Sequence, residues 1–267
     1  MQSGPHLTTM NLQLDGKTAL VTGSTAGIGL AIASALVAEG ASVIVNGRTQ
    51  ERVDSAMKIS GAAHGVAADL GSESGARAVT GRFPEVDILV NNLGIFEPKP
   101  FEEISDDDWR RFFEVNVLSG VRLSRHYIGP MKKRNWGRIV FISSESALQI
   151  PAEMIHYGMT KTAQLAISRG LAETTEGTAV TVNAVLPGPT ASEGVNQFVD
   201  GLARAKGVDR SSIEQQFFSE GRPTSIIQRF IAPEEIAALV AFVCSPLAAA
   251  INGAALRADG GVVRSIA

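Results

Sequence analysis

Short apolar runs alternate along the chain with stretches whose apolar residues recur every three or four positions. TALVT (18–22), SVIVN (42–46), VDILVNN (86–92), GRIVFISS (137–144) and AVTVNAVLPG (179–188) are β-branched and apolar at successive positions. A strand of that kind has no polar face to offer water, so each run predicts a parallel strand covered on both sides. GVAAD (65–69) predicts a weaker strand and GAALRADGG (253–261) a short final one. Helices are predicted over 27–38, 50–59, 72–82, 105–134, 152–174 and 233–244. The third-last of these has marked ends. Ser105 with Asp108 forms a capping pattern, three aspartates sit at the positive end, and KKR (132–134) closes the negative end. Strands alternating with helices imply βαβ units, hence an α/β domain with a doubly wound parallel sheet of about seven strands and helices on both faces.

One segment breaks this rhythm. Residues 189–232 hold helical pieces, GVNQFVDGLARA and SSIEQQFFSE, among Gly, Pro and Ser, with no strand pattern. A long excursion at a strand-end crevice predicts a lid over a ligand. No repeat or linker divides the rest. Residues 1–11 read as a tail, with Met10 a candidate natural start, and 12–267 as a single domain.

Composition narrows the function classes. The net charge of −3 offers no basic surface to a nucleic acid or an anionic membrane. No apolar run is long enough to span a bilayer, and the first sixteen residues lack the basic and apolar regions of a signal peptide. The single cysteine, Cys244, lies in the apolar run ALVAFVCSP and reads as a buried hydrophobe. A cytoplasmic location is expected. The four histidines have no metal-ligand spacing, so no metal is expected.

Two features carry cofactor chemistry. VTGSTAGIG (21–29) joins the first strand to the first helix. Gly23 permits a tight turn, while Gly27 and Gly29 allow close approach to a phosphate at the helix N-terminus, where free N–H groups and positive dipole converge. The second strand ends Asn46–Gly47–Arg48, without the acid that would bind a ribose 2′-hydroxyl. An acid would repel a 2′-phosphate, whereas Arg48 can fork onto one, so NADP(H) is expected in preference to NAD(H).

With these in place the chain resembles the short-chain dehydrogenase/reductase family over about residues 14–266. The ordered motifs are TGSTAGIG, DL (69–70), NNLG (91–94), NV (116–117), ISS (142–144), YGMTK (157–161), NAVLPGPT (183–190) and ADGG (258–261). The resemblance implies a Rossmann-type single domain, similar to 3-oxoacyl-[acyl-carrier-protein] reductases. It implies that Gly23, Ser24, Thr25, Gly27, Ile28 and Gly29 hold the dinucleotide, with Asp69 and Leu70 flanking the adenine. Asn92 and Gly94 would line the cofactor, and Pro187, Gly188, Thr190 and Ser192 would hold the nicotinamide. Ser144, thirteen residues before Tyr157, matches the catalytic serine, with Ser143 its neighbour. Tyr157 matches the acid/base, Lys161 its partner, and Asn116 the residue that completes the tetrad by holding a water. Leu93 departs from the small residue of the family pattern, and the segment after Gly188 is longer than in compact members. The resemblance also implies a homo-oligomer, dimer or tetramer, paired through the helices predicted at 105–134 and 152–174.

The implied chemistry is physically coherent. Tyr157 and Lys161 lie one helical turn apart. A free tyrosine has a pKa of about 10, and a nearby ammonium and an oxidised nicotinamide would both lower it. The expected function is an NADP(H)-dependent interconversion of a carbonyl and a secondary alcohol. The substrate is a 3-oxoacyl group or, alternatively, a sugar, small ketone or polycyclic alcohol. A cofactor sensor without turnover is the competing class. Glu145 and His156 are further candidates to face substrate, whereas Trp109, Trp136 and Phe112–Phe113 read as packing or interface.

Overall fold

The computed structural model describes residues 11–266, so the tail proposed for the chain start lies almost wholly outside the described residues. Seven parallel strands form one sheet in the order β3-β2-β1-β4-β5-β6-β7. They are β1 (Thr18–Val21), β2 (Ser42–Gly47), β3 (His64–Ala67), β4 (Ile88–Asn91), β5 (Gly137–Ile142), β6 (Val180–Pro187) and β7 (Ala255–Ala258). The helices are α1 (Gly27–Ala38), α2 (Gln50–Ser60), α3 (Glu73–Arg82), α4 (Asp106–Phe113), α5 (Ser119–Lys133), α6 (Ile155–Glu173), α7 (Glu193–Lys206), α8 (Arg210–Gln216) and α9 (Pro233–Cys244).

The continuous apolar runs are explained by where alternate residues go. In β1, Ala19 and Val21 enter a core layer with α1 and α9, while Leu20 enters the opposite layer with Leu123, Tyr127 and Met131 of α5. Both faces are dry, so no position of the strand can be polar. Cys244 is fully buried in the first layer, as expected, and burial pushes its thiol up to about 12. No helix among the described residues is long and apolar enough to cross a membrane.

Two predicted helices are more structured than their sequence pattern. The 105–134 stretch is continuous, with the Ser105–Asp108 capping box present, but a π-helical turn (Glu114–Leu118) separates α4 from α5. The 152–174 stretch starts as a 3-10 turn (Ala152–Met154) before α6. The lid segment 189–232 carries α7 and α8 over a small core of its own, Val199, Ala203 and Ile213.

Candidate active site

The strand order reverses between β1's neighbours β2 and β4. Helices on the two sides diverge there, which opens a crevice at the strand C-termini. The glycine turn borders it. Gly23 has φ +59°. At Gly29 a Cβ would lie 2.5 Å from both Asn92 Nδ2 and the Gly23 carbonyl, so no larger residue fits without displacing the turn. Ala26 at the α1 N-cap supplies no side-chain cap, which leaves first-turn N–H groups available to an anion.

Several expected cofactor residues brace this turn instead of facing outward. Ser24 Oγ donates to the Val21 carbonyl at 2.7 Å and accepts from the Asn46 N–H at 2.9 Å. Asn46 Oδ1 accepts from the Gly23 N–H at 3.2 Å, and its amide donates to Val66 and Ala68 carbonyls. Asn92 donates to the carbonyls of Thr22 and Gly23 at 2.9 and 3.1 Å. Leu93 packs beside Gly23, its Cα 3.2 Å from where a Cβ would stand. Thr25 packs over Gly47. Leu70 is in the core, while Asp69 is exposed and accepts from the Gly71 N–H. Arg48 is exposed and carries no hydrogen bond or ion pair among the described residues.

Across the crevice stand the residues expected to be reactive. Ser144 follows β5 and Tyr157 and Lys161 lie in the first turns of α6. Lys161 is buried, donates to the Ile142 carbonyl at 2.9 Å, and lies 5.5 Å from the Tyr157 ring centroid. Gly94 lies against Lys161 Nζ and Asn116. Asn116, in the π-helical turn, binds both backbone groups of Ile95 and donates to Thr160 Oγ1 at 3.0 Å. The Asn116 carbonyl and Lys161 are joined by one side chain: Gln164 donates to Asn116 O at 2.6 Å and accepts from Lys161 Nζ at 3.3 Å. Gly188 is pressed against Asp259, whose carbonyl would lie 2.5 Å from a Cβ. Thr190 Oγ1 donates to the Gly188 carbonyl, and Ser192 caps α7.

The electrostatics run against one expectation. Tyr157 is held above its ordinary pKa, by burial and then by the Glu145 carboxylate. A hydrogen bond with Ser144 and the charge of Arg222 oppose this more weakly. Burial lowers Lys161 to about 8, and Glu145 partly restores it. Burial and Glu145 together favour the neutral phenol.

Comparison with known proteins bears on what this constellation is. A profile of the short chain dehydrogenase family matches residues 17–202. The chain belongs to the short chain dehydrogenase family. As a short chain dehydrogenase it is an oxidoreductase. It is 55% identical over 263 residues to the uncharacterized oxidoreductase YvaG of Bacillus subtilis, covering 96% of this chain and 100% of that one. It is 36% identical over 265 residues to the 3-oxoacyl-[acyl-carrier-protein] reductase FabG of Aquifex aeolicus, covering 95% and 100%. The crystal structure of L-sorbose reductase from Gluconobacter frateurii, complexed with NADPH and L-sorbose, superposes with a TM-score of 0.89 at 31% identity, covering 96% and 100%.

Within this short chain dehydrogenase the 189–232 segment borders a cavity of about 660 Å³ lined by Ser144, Tyr157, Pro187, Thr190 and Ser192. Three polar residues in and behind the cavity, Glu145, Arg222 and Gln164, were not marked by the sequence pattern or only half marked. Glu145 lines the cavity, buried, and accepts from the Ser144 hydroxyl. Arg222, also buried, comes from the lid and reaches Glu145 at 3.4 Å and Glu153 at 3.2 Å. Gln164 sits three residues after Lys161, on its helix face, which is the one local signal that could have found it. His156 does not face the cavity. Its ring packs 4.0 Å from Phe112 with Trp109 beside it, because its position on α6 turns it toward α4.

Proposed function

We propose that this short chain dehydrogenase is an NADP(H)-dependent oxidoreductase that interconverts a ketone and a secondary alcohol. The observation that carries the reading is the meeting of Tyr157 and Ser144 in the wall of one cavity, beside Ile28 of the glycine turn, with Lys161 5.5 Å from the Tyr157 ring centroid. The residues present fit NADP(H). Gly29 leaves a cradle that a Cβ would fill, the α1 terminus has free donors, and β2 ends in Asn46 and uncommitted Arg48 instead of an acid. The backbone of the turn from Gly23 to Gly29 would hold the pyrophosphate, Arg48 the 2′-phosphate, and Pro187 to Ser192 the nicotinamide end.

When bound, the nicotinamide supplies hydride to a carbonyl carbon or takes it from an alcohol. Tyr157 gives its phenolic proton to the carbonyl oxygen, and its protonated state suits reduction. Ser144 steadies the same oxygen by hydrogen bonding. Lys161 supplies positive charge beside Tyr157, and Gln164 and Asn116 fix its position. Water held near Asn116 would return the proton. The 3-oxoacyl substrate is supported by likeness to the Aquifex reductase, and a sugar substrate by likeness to the Gluconobacter one. A cytoplasmic homo-oligomer completes the proposal. The exposed Leu148, Ile150 and Ile226 are a candidate contact surface, and sedimentation would test it.

The test is loss of NADPH absorbance over a panel of 3-oxo thioesters, hydroxy ketones, sugars and bulky ketones. Turnover on at least one is expected. Tyr157→Phe should lower kcat by roughly 10³-fold or more while NADPH still binds. Tight NADPH binding with no turnover on any member would support the sensor instead.

A further inference from the structure

Ser144 has one proton and two lone pairs. Its proton is committed. The hydroxyl donates to Glu145 Oε2 and accepts from the Ser146 N–H at 3.1 Å. The reductase reading gives that single proton a second destination, the substrate oxygen, and it cannot serve both. Ser144 must turn away from Glu145 before it can act.

Glu145 then needs a replacement donor. A carboxylate only accepts, and leaving one oxygen unpaired in a buried site is costly. Ser146 Oγ at 3.2 Å and Arg222 Nε at 3.4 Å already occupy the other oxygen. Ser144 and Glu145 are hydrogen-bonded neighbours, so two substrate oxygens a hydrogen bond apart can meet both. Oxygens on adjacent carbons of a hydroxy ketone are about 2.8 Å apart, the length of a hydrogen bond.

We propose that Glu145 is a specificity-determining residue that accepts a hydrogen bond from a hydroxyl on the carbon next to the reacting carbonyl, which selects neutral α-hydroxy ketones and frees Ser144 to act. This rests on the reductase reading above. Charge narrows the class further. The cavity lining holds three carboxylates, Glu145, Glu153 and Glu220, against two cations, Arg222 and Lys206. Arg222 already faces two of the carboxylates. An anionic 3-oxo acid would add a third negative group there and is disfavoured. Val195, Val199, Leu202 and Phe230 line the rest of the cavity and suit an apolar body.

The experiment compares NADPH-dependent reduction of 1-hydroxy-2-hexanone, 2-hexanone and 3-oxohexanoate. For the unaltered protein, kcat/KM for the hydroxy ketone should exceed that for 2-hexanone by about tenfold or more, with 3-oxohexanoate lowest. In Glu145→Leu, which removes the acceptor, the ratio of the first two should fall toward one. Folding of the variant is checked by its thermal transition and NADPH binding. An unchanged ratio in a folded Glu145→Leu, or a ratio near one in the unaltered protein, overturns the inference while leaving the reductase reading intact. Should the variant not fold, the ratio in the unaltered protein decides alone. If NADPH binds and none of the three compounds, nor any of the broader panel, is reduced, the reductase reading fails and takes this inference with it.

Discussion

The two walls of the crevice are built by opposite means. On the cofactor side, polar side chains are spent internally: Ser24, Asn46 and Asn92 all bond the backbone of the turn they support. What faces the crevice is backbone, made reachable by the absence of a side chain at Gly29. On the other side the groups that line the cavity include charged side chains. Glu145 and Arg222 are buried and held by each other, across a sequence separation of 77 residues. A backbone wall reads features common to all dinucleotides. A side-chain wall reads one substrate, and it can change by single substitutions.

The largest expected effect breaks the backbone wall. Gly29→Val places carbon atoms inside contact distance of Asn92 and Gly23. NADPH binding measured by fluorescence should weaken at least about 100-fold, with overpacking costing roughly 1–3 kcal/mol of stability. Retained binding would mean the wall does not depend on close backbone approach. Arg222→Met tests the other wall. It leaves Glu145 buried without its cation, and the unfolding free energy in urea should fall by about 3 kcal/mol. Limited proteolysis should cut first within the lid. No change in either would show that the lid is held by its apolar core alone. The smallest effect sharpens the exception on the cofactor side, an exposed cation on an otherwise backbone-built wall. Arg48→Ala should weaken NADPH about tenfold and leave NADH nearly unchanged. Equal losses for both would remove the 2′-phosphate assignment.

The fold was largely legible because the central strands β1, β4, β5 and β6 are mostly buried on both faces, a pattern few other arrangements tolerate. The helix at 233–244 begins and ends where its sequence pattern predicts, at Pro233 and Cys244. The π-helical turn at Glu114–Leu118 was not legible, since it adds no distinctive residue to the helical pattern. In the site, ordered motifs marked Tyr157, Ser144 and Lys161. Asn46 was read only as a missing acid, although it pins the glycine turn through a contact 23 residues away. Arg222 was invisible for a similar reason. Its meaning lies in a partner brought to it by the lid, and no local pattern distinguishes it from a solvated arginine. The lowered pKa foreseen for Tyr157 from Lys161 was overridden by burial and by Glu145, the residue beside Ser144.

The lid leaves and re-enters the domain at nearly one point. Thr190 and Ile231 form a β-bridge, with the Ala191 N–H bonded to Ile231 and the Ile231 N–H bonded to Pro189 at 2.9 and 2.8 Å. The two ends are thus fixed side by side, and between them the segment is tied again to the domain through Arg222 on Glu145 and Ile226 on Gly260. Closing a loop twice as long adds only about 0.6 kcal/mol of entropic cost. Between these ties the segment can therefore lengthen or shorten while the sheet and the proton-transfer residues keep their places.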